Sequence, residues 1–482
     1  MMTVLLSIGG QDLEAAQQRS YKRIDPVTNE VASIAAAASL SDVKAATQAA
    51  HEAFANWASV SPSEKRTLLN KAADIMESKH NEFVSAMITE TGATKPWAGF
   101  NVMLAAGHIR EAAALTTHIG GEVIPSNKPG TLSMSINKPK GVCLAIAPWN
   151  APIILGARAI ATPLACGNTV ILKSSELCPQ THRLIIDCFL EAGFPSGVVN
   201  LLSNDPSDAA DIVKTLIEAP EIRHVNFTGS SAVGRIIGRL AGENLKPALL
   251  ELGGKAPLVV LDDADIDGAV NAAIFGAFMN QGQICMSTER LIVDAAVADI
   301  FVEKLVARAS QLPWGNPRED VALGALVNPN VADKMQELIT DALEKGATLA
   351  CGGDNNGALF SATLLDGVTA NMRIYKEESF GPVKSIIRVN GDEEALKVAN
   401  DSEYGLSSAV FSQDINRAIN FAGKIESGIC HINGPTVGDE PQMPFGGVGA
   451  SGYGHFGGKA AIAQFTDLRW ITIEDPKQHY PF

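Results

Sequence analysis

Val142-Cys143-Leu144-Ala145-Ile146-Ala147, closed by Pro148-Trp149-Asn150, is the stretch on which the fold turns. A short unbroken apolar run stopped by proline reads as a strand buried on both faces, the habit of parallel sheets. Similar runs follow at Thr169 to Leu172, Val198 to Leu202 and Ile222 to Phe227, each separated from the next by a helix-like stretch. Strands alternating with helices predict a parallel sheet with crossover helices, and a nucleotide at its carboxyl edge. After Glu251 a second alternating set begins with Leu258 to Leu261 and Leu291 to Asp294, then a helix from about Val297 to Ser310. That predicts a second α/β domain.

Upstream, Met1 to Gly10 reads as a strand, and the rest of the first 115 residues reads as helical. Ser61-Pro62-Ser63-Glu64 is a capping box with proline at the first helical position, opening a helix toward Lys79. Val43, Ala46, Ala50, Phe54 and Trp57 form one helical stripe. Gly120 to Ile136 and Leu468 to Ile473 read as outlying strands that join subunits. The expected organisation is a dinucleotide-binding domain at 1–118 and 138–251, a catalytic domain at 252–448, and an oligomerisation element at 119–137 and 462–482.

A chain of 482 residues with 46% hydrophobic content can bury large cores. Its net charge of −15, with no basic cluster, excludes nucleic acid and anionic membranes as expected partners. Seven scattered cysteines with no CxxC pair suggest neither disulfides nor zinc, so a reducing cytoplasm is expected. Met1 to Gly10 lacks the basic start of a signal peptide, and the apolar region Ala151 to Leu172 is broken by Arg158, Pro163 and Asn168. Asp263-Ala264-Asp265-Ile266-Asp267-Gly268 resembles the start of a calcium loop, but its twelfth position is Ile274, which cannot ligate. No metal is expected.

The chemistry concentrates in Asn280-Gln281-Gly282-Gln283-Ile284-Cys285 and in Glu251-Leu252-Gly253-Gly254-Lys255. Taken alone, a cysteine in an apolar run is a core residue and a glutamate is a surface one. Together with Asn150 they supply a thiol nucleophile, a base and an amide donor for an oxyanion.

The chain resembles the NAD(P)-dependent aldehyde dehydrogenase superfamily nearly end to end. The resemblance is carried by Pro148-Trp149-Asn150, Lys173-Ser174-Ser175-Glu176, Phe227-Thr228-Gly229-Ser230, Glu251-Leu252-Gly253-Gly254-Lys255, Gly282-Gln283-Ile284-Cys285, Glu377-Glu378-Ser379-Phe380-Gly381-Pro382 and Pro444-Phe445-Gly446-Gly447. It implies a three-part α/β fold with a Rossmann-type domain, and a homodimer or homotetramer. It also implies Cys285 as nucleophile, Glu251 as general base and Asn150 as oxyanion donor. Lys173 and Glu176 would hold the adenosine ribose, Gly229, Ser230 and Gly234 the pyrophosphate turn, and Glu378 with Phe380 the nicotinamide ribose and ring. Trp149 and Leu252 join that cofactor set. A carboxylate at Glu176 would repel a 2′-phosphate, which favours NAD over NADP.

Within the family the chain is most similar to bacterial dehydrogenases of vanillin, hydroxybenzaldehyde and salicylaldehyde. Trp97-Ala98-Gly99-Phe100-Asn101, Gln281 to Arg290, His431 to Thr436 and Tyr480-Pro481-Phe482 carry that likeness. Trp97, Phe100 and Phe445 would wall a flat pocket for an aromatic aldehyde, with Ile284 and Met286 beside the nucleophile. Pro152 and Gly434-Pro435-Thr436 lean toward vanillin and 4-hydroxybenzaldehyde over salicylaldehyde. Many members carry lysine nine positions after the asparagine; here position 159 is Ala159, with Arg158 before it. Arg158 is expected to line the entrance and reach a ring hydroxyl or methoxy oxygen. The rival readings are an aliphatic aldehyde or semialdehyde substrate, acyl transfer to coenzyme A, and a nucleotide-binding protein without turnover.

Overall fold

The structure, a computed structural model, describes residues 3–482. Its middle is an eight-stranded sheet whose five central strands are parallel, in the order Ala248–Glu251, Ile222–Thr228, Val142–Ile146, Thr169–Lys173, Val199–Leu202. Val142–Ile146 is buried at every position because both its faces are covered. Leu144 and Ile146 share a core with Val43, Ala46 and Ala50 of helix Leu40–Ser59, whereas Cys143 and Ala145 pack with Ile153, Ala157 and Ile160 of helix Pro152–Ala165. Strand order runs outward from Val142–Ile146 in both directions, so a crevice opens beyond the carboxyl ends of this strand and Ile222–Thr228. Two antiparallel strands, Leu6–Ile8 and Gln11–Leu13, close one edge, and Gly452–Tyr453 closes the other against Ala248–Glu251.

A seven-stranded sheet follows, in the order Thr348–Cys351, Thr363–Asp366, Val383–Val389, Arg290–Asp294, Pro257–Val260, Ser407–Phe411, Ile429–Ile432, with only its first strand antiparallel. Helix Ala295–Ala309 packs against it where the sequence predicts one. A third sheet pairs Thr466–Ile473 with Leu132–Pro139 along their full length, with Gly121–Val123 on the far side. Val123, Leu132, Leu468, Trp470 and Ile473 are exposed there.

The amino-terminal region corrects the sequence reading. Strands Thr3–Val4, Ser20–Ile24 and Val31–Ala36 form a small sheet before the first long helix. Alanines at 35 to 38 favour helix by propensity, but here pairing with both neighbouring strands overrides it. Met1 and Met2, where the expected first strand begins, lie outside the described residues. The helices then run as Leu40–Ser59, Pro62–Ser78, His80–Thr91 and Lys95–Leu115, with Ser61 capping the second. Among the described residues no helix is long and apolar enough to cross a membrane.

Candidate active site

Asn280 (φ 48°), Gln281 (φ 56°) and Gly282 (φ 72°) take three left-handed conformations in a row just before Cys285. Such a backbone persists only where its surroundings over-determine it. Gln281 Nε2 donates to the Ala325 carbonyl (2.9 Å), the Val327 N–H donates to Gln283 Oε1 (3.0 Å), and Asn280 Nδ2 donates to the Asn150 carbonyl (3.1 Å). Asn150, at the carboxyl end of the central strand, donates from Nδ2 to the Gln283 carbonyl (3.0 Å). That bond uses one of its two amide protons and leaves the other for an oxyanion. Cys285 is half-buried; burial and the adjacent Glu251 carboxylate push its thiol well above the ordinary range.

Glu251 ends its strand fully buried, and neither carboxylate oxygen has a hydrogen-bond partner. Burial pushes its carboxyl up to about 7, offset in part by the Arg158 guanidinium, whose Nη2 lies 3.9 Å from Oε2. A carboxylate of that strength is half-ionised near neutrality and can take and return protons there. The glycines after it are there for close approach. A Cβ on Gly253 would meet Glu378 Oε2 at 2.8 Å, and one on Gly254 would meet the Cys285 carbonyl oxygen at 2.4 Å. The Gly254 N–H donates to Glu378 Oε1 (2.9 Å), so Glu251, Cys285 and the Glu378–Phe380 turn share one junction.

The crevice itself is a cleft of about 880 Å³ that holds Trp149, Lys173, Glu176, Gly229 and Ser230 of the expected cofactor set. Lys173 Nζ and Asn204 Nδ2 both donate to Glu176 Oε1. Ser230 caps helix Ser231–Glu243, and Gly229, Ser230 and Val233 at its amino terminus line the cleft. Gly234 and Leu252 do not line the cleft; they meet each other, since a Cβ on Gly234 would stand 2.3 Å from Leu252. Phe380 sits edge-on to Trp149 at 5.7 Å. Sequence reasoning missed Val233, Ile236, Ile237 and Leu240, the apolar wall of this helix. Their helical spacing was a visible signal; exposed Ile236 (53%) was the informative member. A helix amino terminus, a carboxylate and an apolar wall on one cleft together fit a dinucleotide.

A second, smaller cavity of about 210 Å³ contains all six expected substrate residues, Trp97, Phe100, Arg158, Ile284, Met286 and Phe445, together with Asn150 and Cys285. Trp97 stacks on Phe100 at 5.6 Å and donates from Nε1 to the Asn150 carbonyl (3.1 Å). Phe275, Met279, Val437, Leu104, Ile154, Leu155 and Asp439 also line the cavity and were not singled out by sequence, though Phe275 and Met279 lie four apart in the run entering the cysteine turn. Arg158 is not at an entrance. It is 2% exposed and sandwiched between the rings of Phe445 (4.4 Å) and Phe456 (4.5 Å), because helix Pro152–Ala165 is buried along its whole length. Pro152 and Thr436 stay behind the wall; Thr436 Oγ1 donates to the Met286 carbonyl (2.7 Å).

Among the described residues no group of three or more His, Cys, Asp or Glu is placed to hold a metal. Asp263 instead accepts from Ser412 (2.8 Å) and Arg417 (3.0 Å). Cys143, Cys166, Cys178 and Cys188 are buried core thiols, raised by desolvation.

A model of the aldehyde dehydrogenase family matches residues 13–471. A vanillin dehydrogenase of Pseudomonas sp. (strain HR199 / DSM 7063) is 58% identical over 100% of both chains. A benzaldehyde dehydrogenase [NAD(+)] of Pseudomonas putida is 37% identical over 95% of this chain and 94% of its own. The crystal structure of a salicylaldehyde dehydrogenase from Pseudomonas putida G7 complexed with salicylaldehyde superposes with a TM-score of 0.99, at 51% identity and 100% coverage of both chains.

Proposed function

The chain belongs to the aldehyde dehydrogenase family and is an aldehyde oxidoreductase; from that premise we propose that it oxidises an aromatic aldehyde to the carboxylic acid with NAD through a thioester on Cys285. The observation that carries the aromatic reading is the cavity of Trp97, Phe100, Phe275 and Phe445 over Cys285 and Asn150. Flat aromatic walls suit a ring and waste contact on a flexible alkyl chain.

Glu251 takes the thiol proton, and the thiolate sulfur bonds to the carbonyl carbon while Asn150 and the Cys285 N–H receive the oxyanion. Trp149 and Phe380 would help hold the nicotinamide of a bound NAD, which would supply the acceptor for the hydride that leaves the adduct carbon to give the thioester. Glu251 gives the thiol's proton up to solvent and then takes a proton from water, whose oxygen attacks the thioester carbon; the carbon–sulfur bond breaks and the acid leaves. Glu176, held by Lys173 and Asn204, supports NAD over NADP, since a 2′-phosphate there would meet a carboxylate. The dehydrogenase above whose name specifies NAD points the same way. The uncovered apolar faces of the third sheet support self-association as a homodimer or homotetramer, and seven free cysteines fit a reducing cytoplasm.

NADH formation with vanillin, 4-hydroxybenzaldehyde, salicylaldehyde, benzaldehyde and hexanal tests the reading on the parent and on Cys285→Ala. Turnover of the aromatic aldehydes that vanishes in the variant is expected. Preference for hexanal would move the substrate to the aliphatic class, and no turnover with NAD still bound would make the chain a non-catalytic binder.

A further inference from the structure

Apart from Asn150 and Cys285, the substrate cavity is apolar except where Arg158 and Asp439 both line it. Arg158 is 2% exposed and Asp439 has a side chain 10% exposed, yet Nε, Nη1 and Nη2 of the arginine and Oδ1 of the aspartate have no hydrogen-bond partner. Arg158 Nη1 stands 3.7 Å from Asp439 Oδ2, and Nη2 stands 3.9 Å from Glu251, both too long for hydrogen bonds. Buried donors and acceptors left this way are costly unless something else satisfies them. The ring faces of Phe445 and Phe456 hold the guanidinium plane from both sides, so its N–H groups are fixed in direction.

We propose that Arg158 and Asp439 form a subsite for a neutral phenolic hydroxyl on the aldehyde's ring, the hydroxyl accepting from Arg158 and donating to Asp439 Oδ1. The proposal rests on the aromatic reading above. One donor set beside one acceptor matches a group that is both. A methyl ether could accept from Arg158 but would leave Asp439 unanswered. An anionic substituent would add a third negative group to Glu251 and Asp439 around a single guanidinium.

His108 explains why Asp439 is available. Trp97, Phe100, Leu104 and His108 recur every three or four residues on helix Lys95–Leu115, so one face lines the cavity and continues to the carboxylate. His108 Nε2 lies 3.4 Å from Asp439 Oδ2, which leaves Oδ1 for the ring. Burial pushes the Asp439 carboxyl up, but His108 and Arg158 outweigh it and hold the group below its ordinary value, as an acceptor.

The test is kcat/KM for 2-, 3- and 4-hydroxybenzaldehyde against their methyl ethers and benzaldehyde, in the parent, Asp439→Leu and Asp439→Asn. At the best-accepted ring position the parent is expected to prefer hydroxyl over ether by roughly tenfold or more. Asp439→Leu should bring that ratio to about one, and Asp439→Asn, which keeps an acceptor oxygen, should restore part of it. A parent ratio near one overturns the subsite without any variant. So does a ratio that survives Asp439→Leu, including the case in which all substrates fall together. Inhibition by phenol against anisole reads the same preference without turnover, and equal inhibition counts against it. Oxidation of alkanals with none of benzaldehydes would overturn the aromatic premise, and the subsite with it.

Discussion

As the proposed base, Glu251, with its carboxyl at about 7, would set where in pH the enzyme works. The basic form exists above that value, so thioester hydrolysis should rise with pH through about 7 and level off beyond it. Arg158 favours the ionised form; Arg158→Met should therefore move the rising limb to higher pH, seen in a pH–rate profile. Glu251→Gln removes the group that takes both the thiol proton and the water proton, so it should slow the first turnover of NADH as well as the steady state, the latter by ~10²–10⁴. Cys285, Glu251 and Asn150 were legible in sequence because each stands at a strand end or glycine turn, where polar residues interrupt apolar runs. Asp439 and His108 were not, since a lone acid in a loop and a lone histidine in a helix carry no local signal. Only the fold brings them to Arg158.

Between elements, the buried Glu289 joins Lys255 (2.7 Å) and Lys384 (2.8 Å) and accepts from Ser379, tying the strands after Cys285 and after the Glu378–Phe380 turn together. Burial opposes its ionisation, yet the two lysines hold its carboxyl down at about 2. Its contribution is therefore present above the ordinary carboxylate pKa of about 4.3 and lost as pH falls toward 2. Glu289→Gln strands two buried ammonium groups and should destabilise by about 3–5 kcal/mol, read as a lowered Tm. Gly254→Ala should abolish activity while circular dichroism stays native, because the new methyl displaces the Cys285 backbone. Strand positions such as Val142–Ile146 were readable because burial on both faces selects one continuous apolar run. Val31–Ala36 was not, because its alanines fit either state and only its partners decide.

At the scale of the molecule, the alternating strands and helices made two parallel sheets legible, whereas the relation between them rests on long-range contacts that no local pattern encodes. The third sheet leaves Leu468 (73%) and Trp470 (75%) in solvent. Leu468→Asp should shift the protein to a smaller species by light scattering, with the parent larger than one chain. The Gly452–Tyr453 strand has another consequence, for the order of events in synthesis. It is the outer neighbour of Ala248–Glu251, and Ser451 bonds both the Gly253 carbonyl (2.6 Å) and the Gly405 N–H (3.0 Å). On the ribosome, the strand bearing Glu251 has an open edge until nearly the whole polypeptide has emerged. The half-made chain must wait with that edge uncovered, a target for mispairing and for chaperones. A nascent chain released before residue 451 should be sticky and inert, however complete its thiol and its cleft.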